Sequence, residues 1–218
     1  MCTRYMTPDQ AAIERYWQLR RDEGNPWRGQ REVFPGSLAP FIRAADERER
    51  QLVVGQWGLI PWFAKAAKLT YSTHNARVEE ITNKASFKQS WQHGRRCIIP
   101  AWSFDEPCWE TGRNVWWHFR RADGLPWGLA GLWNAWTDPA SGEIIQSYTM
   151  LTTNADGHPL FARMHKPDPR LPPDQQDKRS VVPIELADVD AWLHGSTEDA
   201  QALVRVPAAE AFDAGPDK

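Results

Sequence analysis

Apolar residues recur along this chain at two different periods, and the change from one to the other divides it. Near the start, Ile13, Tyr16 and Trp17 share one helical face. Thr7-Pro8-Asp9-Gln10 ahead of them reads as a helix start, with Thr7 as N-cap, proline at the first helical position and Gln10 placed to close a capping box. The spacing predicts a helix from there to about Arg21, halted by Gly24-Asn25-Pro26. Residues 1–6 precede it and are expected to be extended, able to lie across a sheet.

The middle of the chain reads as strands bounded by turn residues, at 51–59, 96–99, 114–121, 129–137 and 144–152. Asp138-Pro139-Ala140-Ser141-Gly142 joins the last two as a hairpin turn. A short helix is expected over 86–91, and a final strand over 181–184 leads into a helix over 187–194. Residues 167–177 are polar and rich in proline, which marks a surface loop inserted into the domain. The chain has no internal repeat. One domain over 2–212 is expected, with 213–218 as a disordered tail.

Composition narrows the class. A chain of 218 residues fits one domain of mixed or mostly β architecture. No apolar run is long enough to span a bilayer and no cleavable leader pattern opens the sequence, so a cytoplasmic protein without membrane contact is expected. Cys2, Cys97 and Cys108 form neither an even framework nor a CxxC pair, which disfavours disulfide stapling and a zinc site. No metal and no cofactor are expected, and the chain is read as a monomer.

A formal charge of −2 argues against coating nucleic acid through bulk electrostatics. Any such contact must be local, and charge is indeed segregated: Lys65, Lys68, Arg77, Lys84, Lys88, Arg95 and Arg96 face only Glu79 and Glu80 within their stretch, whereas the chain from Glu185 onward is acidic. Thirteen tryptophans are a heavy load. Most are expected in the core, with a few free to stack nucleobases or sugars.

Cys2 carries the most chemistry. Trimming of Met1 would expose an α-amine beside a thiol. An α-amine titrates at about 7.7–8.0 and is partly neutral at pH 7, whereas a lysine amine, at about 10.4, is almost wholly protonated. The amine can condense with an aldehyde, and the neighbouring thiol can close onto the imine carbon as a thiazolidine, aided by being intramolecular. Asn75-Ala76-Arg77 supplies an amide and a guanidinium, groups that hold an oxyanion or a phosphate. Glu106 lies in apolar and aromatic sequence that would raise its pKa and suit it to proton transfer, and His165 is a second proton carrier. A cysteine at position 2, a glutamate near a strand end and a lone histidine are each, taken singly, more often incidental or structural.

Together these segments resemble the SOS response-associated peptidase family, the abasic-site shielding proteins. The resemblance rests on Met1-Cys2-Thr3-Arg4-Tyr5, Trp57-Gly58-Leu59-Ile60-Pro61-Trp62, Asn75-Ala76-Arg77-Val78-Glu79, Arg95 to Ala101 followed by Phe104 and Glu106, Trp127 to Trp133, and Thr152-Thr153-Asn154-Ala155. It implies an α+β fold: a single domain on a β-barrel-like, mostly antiparallel sheet with a few flanking helices. By resemblance, Cys2 links to the aldehyde of an abasic site in single-stranded DNA and arises by autocatalytic release of Met1. Asn75 orients the sugar, Glu106 is the acid/base and His165 assists ring opening and reversal. Arg4 and Arg77 hold phosphates with Lys88 beside them, and Pro40 and Trp62 wall the groove. His158 is the alternative to His165, because the arginine that ordinarily follows that histidine closely corresponds to Arg179, beyond the proline-rich insertion. Two other readings fit the residues alone: an N-terminal-cysteine amidohydrolase or peptidase of another type, and a non-catalytic tryptophan-rich module for nucleic acid or sugar.

Overall fold

The runs Cys97-Ile98-Ile99 and Leu129-Ala130 lack hydrophobic alternation because both of their faces are covered. A computed structural model describes residues 2–20, 27–45 and 49–216. In it β3 (Leu38–Ala44), β4 (Arg50–Trp57), β6 (Arg96–Ala101), β9 (Trp127–Thr137) and β10 (Ile144–Asn154) close into a ring. Neighbours pair antiparallel in the order β4, β3, β6, β9, β10, and a parallel contact between β10 and β4 completes the barrel. Beyond its contact with β4, β10 pairs with β5 (Asn75–Arg77), in parallel, and with β11 (Arg179–Val181), antiparallel.

A second, wholly antiparallel sheet runs in the order β12 (Phe212–Pro216), β8 (Val115–Arg121), β7 (Ser103–Cys108), β1 (Tyr5–Met6), β2 (Glu32–Val33). The inner core is shared by barrel and sheet, with Tyr5, Phe41, Trp57, Phe104, Phe119, Trp127, Tyr148 and Phe161 all buried. Outside the barrel, α1 (Gln10–Tyr16), α2 (Ala85–Gln92), α3 (Val189–His194) and α4 (Thr197–Ala202) add Ile13, Phe87, Trp91, Trp192, Leu193 and Ala200 to a second core containing Ile42, Ile98, Ala130 and Leu132. Ile98 therefore serves one core while Cys97 and Ile99 serve the other, following the two-residue period of a strand. This is the α+β, barrel-like, mostly antiparallel architecture that the resemblance implied.

Several local expectations are corrected. Thr7 does not cap α1: its N–H bonds to Arg31 O at 2.8 Å, which prolongs the β1–β2 pairing, and Asp9 caps instead by accepting from Ala12 N at 2.9 Å. The helix ends at Trp17 rather than near Arg21, because Gln18 turns left-handed with φ of 54°. The Gly24-Asn25-Pro26 stop lies outside the described residues. Residues 213–216 are no tail, since β12 pairs with β8 from Phe212↔Arg121 to Pro216↔Trp117. The hairpin after β9 forms as expected, with Gly142 at φ of 76° donating to Asp138 O at 2.8 Å. Trp17, Trp57, Trp91, Trp127, Trp136 and Trp192 are buried, and Trp117 and Trp133 pack partly buried against the inner core, so core packing accounts for most of the thirteen tryptophans. Among the described residues no helix is long and apolar enough to cross a membrane.

Candidate active site

Cys2 sits at the seam between barrel and sheet. It precedes β1, the strand held between β2 and β7, and is buried in the inner core. Its Sγ donates to Arg4 O at 3.3 Å. From the barrel side, β5 presents Asn75, whose Nδ2 donates to Cys2 O at 2.6 Å. The parallel register Asn75↔Met150 fixes that amide on a strand. Asn75 Oδ1 is buried with no hydrogen-bond partner among the described residues. An acceptor is thus left open beside the Cys2 backbone.

The sheet side supplies the acid–base pair. β7 carries Asp105 and Glu106 in succession, so the strand sends them to opposite faces. Glu106, 1% exposed, points inward and meets His165 Nε2 at 2.7 Å. Asp105 instead takes Arg4 Nε at 2.7 Å and bonds to His118 Nδ1. Burial pushes the Cys2 thiol well above its ordinary value, and the negative field of Glu106 pushes it further. At neutral pH that sulfur keeps its proton.

His165 reaches Glu106 from a tight loop. The 3₁₀ turn Phe161–Arg163 leads to Met164, which bridges to Cys108 of β7, and His165 N donates to Pro107 O at 2.7 Å. The residue is left-handed, with φ of 58°. Its rival His158 is engaged elsewhere: Nε2 bonds to Pro207 O at 2.9 Å and the ring packs on Phe161 and Phe212.

The expected phosphate and groove residues are distributed unevenly. Arg4 adjoins Cys2, but its Nε also contacts Glu32 at 2.8 Å. Arg77, two residues past Asn75, pairs with Asp177 at 2.6 Å and Glu80 at 3.6 Å. A groove of about 390 Å³ lined by Trp57, Gly58, Lys68, Tyr71 and His74 opens next to Asn75. Trp62 is 62% exposed and meets Phe63 edge-on, whereas Pro40 is buried within β3 opposite Val54. Lys88 is exposed on α2, a helix anchored in the outer core, and the structure does not bring it to Cys2. Sequence reading missed Asp177 and Lys178, both beside the site. Their one signal was their place at the end of the inserted loop, immediately before the Arg179 strand.

Residues 1–216 match the model of the SOS response associated peptidase (SRAP) family. The chain belongs to that family. A crystal structure of a protein from Bordetella bronchiseptica superposes with a TM-score of 0.85 at 33% identity, covering 100% of both chains. Among characterised relatives, the abasic site processing protein HMCES of Xenopus tropicalis is 33% identical over 141 residues, 55% of this chain and 42% of that protein. The abasic site processing protein YoqW of Bacillus subtilis is 31% identical over 131 residues, 59% of this chain and 56% of that protein. The matched segments thus span about half the length of these relatives. Cys2, Asn75, Glu106 and His165 lie together at this seam, beside Arg4 and Asp105.

Proposed function

We propose that this protein captures abasic sites in single-stranded DNA covalently through Cys2, after autocatalytic release of Met1. The observation that carries the reading is the convergence on Cys2 of an amide that grips its carbonyl and a buried carboxylate–imidazole pair. The names of its relatives, abasic site processing proteins, support the choice of substrate.

Hydrolysis of the Met1–Cys2 bond consumes one water and leaves Cys2 with a free α-amine. The amine adds to the open-chain aldehyde to give a carbinolamine, which loses one water as a Schiff base. The thiol then adds to the imine carbon while its proton passes to nitrogen, closing the thiazolidine. A sulfur that keeps its proton near neutrality suits this order, with the amine attacking first. Glu106 receives and returns the protons of ring opening and dehydration, and His165 relays them. The open Oδ1 of Asn75 accepts from a sugar hydroxyl. Arg4 and Arg77 take flanking phosphates, and Trp62 offers a face to a base.

The test is a single-stranded oligonucleotide carrying one abasic site. The protein forms an adduct that survives heat and denaturant, whereas Cys2→Ala forms none and retains weak, salt-sensitive binding. An equally stable adduct with Cys2→Ala would defeat the reading.

A further inference from the structure

Lys178 is a buried cation, 5% exposed, and its ammonium is spent on backbone. Nζ donates to Met164 O at 2.6 Å and to His165 O at 2.8 Å. We propose that Lys178 is the positioning residue for His165, a clamp that holds this histidine in the left-handed conformation from which Nε2 reaches Glu106. This rests on the reading above that His165 moves protons at the Cys2 site.

The need for a clamp follows from the backbone. A histidine at φ of 58° is in a region that side chains other than glycine occupy at a cost, so surrounding bonds must hold it there. The polar, proline-rich loop over 167–177 leaves almost directly after His165, and a loop of that kind moves more freely than the strands beside it. One side of His165 is tied to β7 through its N–H and Pro107 O. On its other side the backbone leads into the loop and would follow its movements.

Lys178 removes that dependence because its own backbone is docked on the end of β10. Its N–H donates to Asp156 Oδ1 at 2.7 Å, and its carbonyl accepts from Ala155 N at 2.7 Å. From this anchor the side chain spans the base of the loop and bonds both carbonyls on its far side. Bonds from a charged donor are roughly twice as strong as neutral ones. The loop can therefore vary in its outer residues without pulling imidazole from carboxylate.

The experiment compares Lys178→Met, Lys178→Arg, His165→Gln and the double variant Lys178→Met/His165→Gln. Methionine keeps an unbranched apolar stem and removes every donor. The first measurement needs no DNA: the ring signals of His165 are followed by NMR at one pH, with and without Glu106→Gln in each background. Lys178→Met is expected to erase the response of those signals to Glu106→Gln, and Lys178→Arg to restore it. A wild-type response in folded Lys178→Met overturns the proposal.

The second measurement is the pH profile of adduct formation. Lys178→Met is expected to slow capture by roughly 10²-fold, the lower end of what a positioned acid–base group contributes, and to reproduce the profile of His165→Gln. The double variant should then be no slower than His165→Gln alone. Additive losses in the double variant would assign Lys178 a general structural role and overturn the clamp. Should the wild-type protein form no adduct, the Cys2 reading fails, and the NMR arm still decides the placement of His165.

Discussion

Glu106 Oε2 and His165 Nε2 lie 2.7 Å apart although 59 residues separate them in the chain. Strand β7 fixes the first and a loop bonded to that same strand fixes the second. Glu106→Gln keeps the shape but cannot accept a proton, so adduct formation should fall by roughly 10²–10⁴-fold, the range for loss of general acid–base catalysis. The same substitution removes a negative field from Cys2. Its thiol should ionise more readily than in wild type yet stay above the ordinary 9.0, because burial is the larger cause. Alkylation rate against pH measures this, and an unshifted profile would contradict the placement.

Asn75 grips the Cys2 carbonyl. Asn75→Asp turns a donor into an acceptor facing an acceptor, and Asn75→Ala removes the grip. Both should slow capture by on the order of 10²-fold through misplacement of the nucleophile, with little change in DNA affinity. Single-turnover kinetics separate the two quantities.

Arg77 is held by Asp177 at 2.6 Å, so a phosphate must displace a carboxylate to reach it. Asp177→Ala should tighten binding to single-stranded DNA, and Arg77→Ala should weaken it equally across sequences. Loss of one phosphate contact makes the slope of log K against log salt shallower by roughly 0.7. Titrations at several salt concentrations read both effects, and unchanged affinity in each variant would exclude Arg77 from the DNA path.

Tyr5 and Tyr148 share a buried hydroxyl–hydroxyl bond of 2.6 Å, and burial holds both phenols above the ordinary 10.0. The unfolded chain releases these protons first as pH rises. Their contribution to stability is complete below that pH and is lost above it. The melting temperature should drop beyond about pH 10, and the paired change Tyr5→Phe with Tyr148→Phe should flatten the drop at little cost near neutrality. Equal slopes in the two proteins would contradict this.

The strands that could be read from sequence are those with clear turn residues at both ends, such as β9 and β10 with Asp138 and Gly142 between them. β7 escaped notice because Asp105, Glu106 and Pro107 interrupt any apolar pattern: Ser103–Cys108 is a strand because its partners are, and its carboxylates are buried because Arg4, His118 and His165 meet them. β12 escaped for a similar reason, since Asp213, Gly215 and Pro216 favour strands poorly and pair only because β8 offers an open edge. Within the site, Cys2, Asn75, Glu106 and His165 were visible as chemical types. That Lys178 crosses the base of a loop, or that Asp177 claims Arg77, depends on the return path of a proline-rich segment, for which local sequence carries no period.

Intact mass of the purified protein, before and after incubation with single-stranded DNA bearing one abasic site, tests the central claim most directly. The proposal predicts a starting mass lacking Met1 and a product heavier by the oligonucleotide less one water. A protein that retains Met1 and still gains the strand, or one that lacks Met1 and gains nothing, would contradict it.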